Sequence, residues 1–163
     1  ADFSQWGSFA IALLFFVMFT GGCAGSTTCG LKIFRLQVLA GTAITQIRQL
    51  TQPHGVFITY YNGKPVPESA INSVMSFFFL YVVCFTILAI ALGFTGLDFL
   101  TATSGAASAI ANVGPGLGPV IGPAATFAPL DDLAKWILAA GMLLGRLELL
   151  TVLVLLAPAF WRR

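Results

Sequence analysis

The sequence predicts an all-α membrane protein in which spanning helices flank a short helix that enters the membrane and returns. One of the spanning helices is interrupted. Three observations carry this reading. The 163 residues are 58% hydrophobic and only 9% charged, where a soluble domain carries about 25% charged residues, and the mean hydropathy is +0.92. Long uncharged runs recur, the clearest being the 23 residues 70–92. Two glycine-rich stretches, "GGCAGSTTCG" at 21–30 and "NVGPGLGPVIGP" at 112–123, fall where regular helix would otherwise continue or return.

Each element follows from length and pattern. A span needs about 20 residues at about 1.5 Å each. Residues 6–20 fall short alone, but with 31–50 beyond the glycine stretch they span, so 1–50 reads as one helix broken at 21–30. Residues 51–69 are a turn-rich connection. Asn62-Gly63 in "YYNGKPVPE" predicts a hairpin turn. His54 in "TQPHGVF" reads as a solvated loop histidine with no ligand set around it. Residues 70–163 form the next unit, opening with an outer helix over 70–92. A small, apolar helix over 97–110 has Asp98 or Thr101 available as its cap. At about 20 Å it is too short to cross, and both flanking spans place its ends on one side. It therefore enters partway and returns through the loop 111–123, where four glycines and three prolines forbid helix. The last helix covers 131–161. The chain opens on Ala1 and "ADFSQW", which reads as the end of a loop, so the expectation is a piece of something larger with no signal peptide in view.

Charge bounds the function. A net charge of +2 leaves no nucleic-acid footprint. Cys23, Cys29 and Cys84 lie in apolar or glycine-rich segments without a CxxC pair, and read as small buried residues, not as a metal set. An intramembrane enzyme needs a nucleophile with a base, or a metal set, at membrane depth. No HExxH, GxSxG or paired aspartates stand there, so the chain is not read as an enzyme. Arg48, His54 and Lys64, with Lys32 and Arg35 before them, and the terminal Arg162-Arg163 oppose Asp2, Asp98, Asp131, Asp132 and one Lys135. By the positive-inside rule, 51–69 and the C-terminus face the cytoplasm and the loop 111–123 faces outside.

Irregular backbone at membrane depth is tolerated only when buried in protein or lining water. A short helix aimed inward presents its negative C-terminal end to the membrane centre. Carbonyl oxygens in the loop that follows can replace the hydration shell of a cation. A merely structural re-entrant hairpin is the alternative.

"SAIANVGPGLG" and "GGCAGSTTCGLKIFR", together with "NGKPVP" in the connection and "GRLE" in the last helix, resemble the potassium-uptake membrane subunits of the Trk/Ktr family. The resemblance covers essentially the whole chain. It implies helix, re-entrant pore helix and helix repeats of a potassium-channel-like pore, four in one chain around one axis. This chain would hold the last helix of the third repeat and the complete fourth. The resemblance implies potassium uptake across a bacterial cytoplasmic (inner) membrane, with K+ as the transported ion and no cofactor. It implies a filter at Ala111, Asn112, Val113 and Gly114, with K+ at the backbone of Asn112 and Val113. It also implies partners: the lipid bilayer, a second copy in a homodimer, and a cytoplasmic nucleotide-binding (NAD/ATP), TrkA-like regulatory subunit. A non-conducting structural subunit, or a pore for Na+, is the alternative function.

In the family the glycine-rich break lies beneath the filter as a gate. The residues are Gly21, Gly22, Cys23, Ala24, Gly25, Ser26, Thr27, Thr28, Cys29 and Gly30. Glycines let backbone cross the pore path, and the hydroxyls can satisfy freed backbone groups. Close helix packing through a Gly21/Gly25 small-xxx-small pair is the competing explanation. Arg146 stands mid-span in "GMLLGRLELL", where an unpaired charge costs at least about 2.5–3.5 kcal/mol. Glu148, two residues on, does not share its helix face. The freed carbonyls of 21–30 are the natural acceptors, and the resemblance implies the same contact as a gate latch. An ion pair with another helix is the alternative. Gly141 and Gly145 read as packing contacts. Lys32 and Arg35 read as meeting water or lipid phosphate, or else as transmitting gate movement. Leu36, Leu39, Ala43, Ile47 and Leu50 form a helical stripe that is expected to pack or dock.

Overall fold

The computed structural model describes residues 3, 6–23, 25–147 and 161. Asp2, Ala24, Glu148, most of the last helix's second half and Arg162-Arg163 lie outside the described residues. The architecture is all-α with one small hairpin. In chain order come α1 (Ser8–Met18), α2 (Ile33–Thr51), β1 (Tyr60–Tyr61), β2 (Lys64–Pro65), α3 (Glu68–Phe94), α4 (Phe99–Ala111) and α5 (Asp132–Arg146).

The long α3 is the frame. Its 27 residues reach about 40 Å, and among the described residues it alone is long and apolar enough to cross a membrane unaided. Val74, Phe77, Tyr81, Leu88 and Leu92 fall on one face and are buried. Its outer face carries Phe79, Ile87, Ile90 and Phe94 to the surface, as expected for a helix meeting lipid or neighbouring helices.

The first span is broken. α1 is apolar all round with no buried residue in this chain, and α2 resumes at Ile33 after the glycine stretch. Phe19, just past α1, packs edge-on against Phe85 at 5.2 Å and Tyr81 at 6.4 Å between ring centroids, which anchors the break on α3. The stripe expected on α2 packs only at its start, where Leu36 meets the core cluster. Val38 and Thr42 are buried, while Ile47 and Leu50 are exposed. The hairpin, with Asn62 (φ 49°) and Gly63 (φ 74°) in its two-residue turn, takes α2's contacts near Thr45 and Gly41 instead.

α4 is the core. Ten of its residues, Thr101, Ala102 and Ser104 through Ala111, are buried. Small side chains let α3 and α5 approach closely on both sides. Asp98 caps it, accepting the Thr101 N–H at 3.3 Å, which fulfils one of the two caps read from sequence. Leu92, Ile110, Ile121 and Leu138 close the apolar cluster around it.

Candidate functional site

The loop after α4 is built by two serines. α4 ends at Ala111, and Asn112 turns into the left-handed region (φ 52°, ψ 44°) to end the helix. Val113 N–H still bonds Ser108 C=O at 3.1 Å. Ser108 then clamps Gly114 on both sides: its Oγ donates to Gly114 C=O at 2.8 Å and accepts Gly114 N–H at 3.2 Å. Ser104, one turn earlier, treats Leu117 in the same way, accepting its N–H at 3.0 Å and donating to its C=O at 3.4 Å. Both serines are essentially inaccessible to water; the Ser104–Leu117 bonds are buried, where unpaired groups would be costly, and the Ser108–Gly114 bonds are part-buried. Gly114 has φ +118°, a conformation that side-chain-bearing residues rarely adopt. Sequence reasoning missed the serines. The signal was present as two hydroxyls four apart, one helical turn, in a run of alanines.

Among the described residues the carbonyls of Ala111, Asn112 and Val113 accept no protein hydrogen bond, whereas that of Gly114 accepts from Ser108. Asn112, Val113 and Gly114 are exposed in this chain. Three of the four sequence-predicted carbonyls are thus unclaimed by the described residues, two of them, Asn112 and Val113, on exposed residues and the third on buried Ala111.

The glycine stretch closes on itself. Thr20 and Leu31 bridge in parallel, with Gly21 N–H on Leu31 C=O at 2.8 Å and Leu31 N–H on Phe19 C=O at 2.9 Å. Gly22 N–H donates to Thr28 Oγ1 at 2.9 Å, and Thr28 Oγ1 donates to Ser26 Oγ at 3.0 Å. A Cβ on Gly21 would strike the Cys29 carbonyl, so glycine is required by the close crossing of the two arms. A Cβ on Gly25 would meet nothing within 4 Å. The small-xxx-small explanation for this pair fails, since neither glycine lies in a helix. Cys23 is exposed, against the expectation that all three cysteines are buried; Cys29 and Cys84 are half-buried.

Arg146 reaches this stretch. Its Nη1 donates to Thr27 C=O at 3.3 Å and lies 3.9 Å from Cys29 Sγ, across more than a hundred residues of sequence. Two cavities share Thr28, Cys29 and Arg146 in their linings. One, of about 260 Å³, is lined by Thr20, Gly21, Gly22, Thr28, Cys29, Ala111, Asn112, Val113 and Arg146, and so joins the two predicted sites. The other, of about 270 Å³, is lined by Ser26 to Gly30, Lys32, Arg35, Phe77, Tyr81, Gly145 and Arg146. Arg35 is not simply solvated: its guanidinium lies 3.7 Å from the Phe77 ring centre on α3. Gly141 packs on Leu88 and Ala109, as expected of a packing glycine. Gly145 lies closer still, where a Cβ would overlap the Ile110 carbonyl and stand 2.9 Å from Asn112 Nδ2.

The chain is similar to a set of transport proteins. The Trk system potassium uptake protein TrkI of Halomonas elongata is 52% identical over 162 residues, covering 99% of this chain and 33% of that protein. The Trk system potassium uptake protein TrkH of Escherichia coli is 38% identical over 159 residues, covering 98% of this chain and 32% of that protein. The crystal structure of the potassium transporter TrkH from Vibrio parahaemolyticus matches with a TM-score of 0.90 at 39% identity, over 99% of this chain and 34% of that one. The chain therefore spans about a third of the length of these relatives. The family profile described as TrkH, cation transport protein, matches residues 1–163, and the chain belongs to that family.

Proposed function

We propose that this chain supplies one quarter of a potassium filter and the gate beneath it, within a longer Trk-type potassium-uptake subunit. The observation that carries the proposal is the cavity of about 260 Å³ with open-carbonyl residues Ala111, Asn112 and Val113 on one side and the glycine stretch with Arg146 on the other. Unclaimed carbonyls at the negative end of α4 favour a dehydrated cation. Directly beside them, backbone held by a cationic latch obstructs the path and repels cations. The same reading holds Ala111 to Gly114 as the filter, Gly21 to Gly30 as the gate loop and Arg146 as the latch. Potassium uptake by the similar Trk proteins supports the choice of ion.

The wider setting belongs to the same proposal. The unit over 1–50 is the last helix of one repeat and 70–163 the next repeat, joined by 51–69 in the cytoplasm. The filter faces outside, across a bacterial inner membrane. The full subunit pairs as a homodimer on a nucleotide-binding, TrkA-like partner. One filter segment leaves most of a ring unfilled, so the isolated 163-residue chain conducts nothing selectively; potassium-selective current from it would refute this.

The direct test uses the full-length protein in liposomes. Arg146→Ala removes the charged donor to the gate loop. A hydrogen bond from a charged group contributes about 1.5–3 kcal/mol, so the open population and the potassium flux rise about tenfold, with ion preference preserved. Deleting residues 22–27 raises flux too, and the two changes do not add, because both act on one barrier. Slower or unchanged flux from a folded Arg146→Ala protein would make Arg146 a structural residue.

A further inference from the structure

We infer that the Asn112 side chain is a strut coupling the ion-binding loop to the gate, by tying the first residue beyond α4 to the turn of α5 that carries Arg146. The inference rests on the pore reading above. Asn112 has a local reason to exist: it ends α4 in the left-handed region, which asparagine and glycine tolerate best. That reason would be met equally by glycine. It does not account for the side chain, which leaves its own helix and donates from Nδ2 to Met142 C=O at 3.0 Å, 30 residues away on α5.

The acceptor's position gives the bond its meaning. In an α-helix the Met142 carbonyl is the one that receives the backbone N–H of residue 146. The Asn112 amide therefore grips the same helical turn whose Arg146 side chain donates to Thr27 C=O at 3.3 Å. The approach exists because residue 145 is glycine. A Cβ there would stand 2.9 Å from Asn112 Nδ2 and overlap the Ile110 carbonyl. Asn112, Val113, Arg146 and Thr28 line one cavity, so both ends of this linkage border the proposed ion path.

The remainder of the loop is fixed to α4. Ser108 clamps Gly114 and Ser104 clamps Leu117. The carbonyls of Asn112 and Val113 have no such hold among the described residues. A cation that turns these two carbonyls acts on the residue that carries the strut. The strut then loads the turn of α5 that positions Arg146 against Thr27. Linkage makes the effect reciprocal: a gate freed of its latch alters ion affinity by the factor with which the ion alters the gate.

The test uses the full-length protein, with potassium affinity read from its K+-dependent thermal stabilisation in detergent and uptake read in liposomes. Asn112→Gly keeps the left-handed helix end and removes only the amide. In the wild-type background, Arg146→Ala shifts half-saturation by K+ about fivefold. In the Asn112→Gly background the same substitution shifts it by less than twofold on the order of experimental scatter. Equal shifts in both backgrounds overturn the strut and leave Asn112 a helix cap. If Asn112→Gly does not fold, Asn112→Asp tests the same point, since it matches asparagine in shape but has no donor when ionised. Absence of potassium uptake by the wild-type protein overturns the pore reading itself. Uptake with undiminished coupling in the Asn112 variants overturns the strut alone.

Discussion

The two irregular segments of this chain look alike in composition and differ in how they are held. Residues 21–30 and 112–123 each contain four glycines. The second is bonded to the buried face of α4 by Ser104 and Ser108, and its Leu117 and Ile121 are buried in the core. The first is bonded mainly to itself, through the exposed hydroxyls of Thr28 and Ser26 and a single bridge between Thr20 and Leu31. Among the described residues, Arg146 of α5 ties it across the cavity through Thr27 C=O. Bonds exposed to water contribute little to local stability, whereas buried ones cost much to break. Under the proposed function, the contrast is the one expected between a loop that holds carbonyls in place and one that moves.

Substitutions can break or sharpen that contrast. The largest effect is expected at Gly145, where α5 meets the end of α4. Gly145→Val in the full-length protein drives side-chain atoms into the Ile110 carbonyl. Overpacking typically costs about 1–3 kcal/mol and a clash with backbone belongs at the upper end of that range, read as a lowered thermal midpoint in detergent with loss of potassium selectivity. A variant of unchanged stability would mean that the α4–α5 contact is looser than described.

Next comes Ser108→Ala. It removes a donor and an acceptor from Gly114 at once, from a buried serine although Gly114 itself is exposed. Each bond lost contributes about 0.5–1.5 kcal/mol, and potassium-over-sodium preference should fall as the loop loses its clamp. Ser26→Ala in the other loop should stay within about 0.5 kcal/mol and leave preference alone. Equal effects of the two serine substitutions would erase the distinction between the loops. Gly114→Ser belongs beside Ser108→Ala. Its Cβ would meet nothing, but φ +118° is strained for serine, at about 1–3 kcal/mol. Sodium should gain on potassium in flux assays.

Asp98→Ala is smaller. Losing the cap of α4 costs about 0.5–2 kcal/mol and weakens the helix on which both serines stand. Hydrogen bonding from Thr101 holds the Asp98 carboxyl below its ordinary value. A carboxyl so lowered contributes stability above its unfolded pKa and loses it as pH falls through the folded one. The Asp98→Ala deficit should therefore shrink in acid, as differential melting at neutral and acidic pH would record. The smallest effect is expected from Gly25→Ala, where the new methyl meets open space. Stability should change by less than about 0.5 kcal/mol. A large loss would show that the glycine stretch packs more tightly than the loop 112–123, reversing the comparison.

Residue order and chemistry alone determined the element types. An uncharged run of 23 residues can only be a long apolar helix, and four glycines with three prolines can only be a loop. The Asp98 cap, the Asn62-Gly63 turn and the need of Arg146 for distant acceptors were likewise legible, because each follows from local geometry or from the cost of an unpaired charge. The tertiary structure alone decided the partners. Nothing in the spacing of Leu36 to Leu50 shows that the hairpin lies near Thr45 while Ile47 and Leu50 stay exposed. Nothing in the sequence near Ser108 names Gly114 as its double partner, or near Asn112 names Met142. Periodicity reports which face of a helix is apolar, and hydroxyl or amide groups report a demand for hydrogen bonds. Which groups meet that demand depends on how closely α4 and α5 approach, and small residues such as Gly145 set that distance only once both helices are in place.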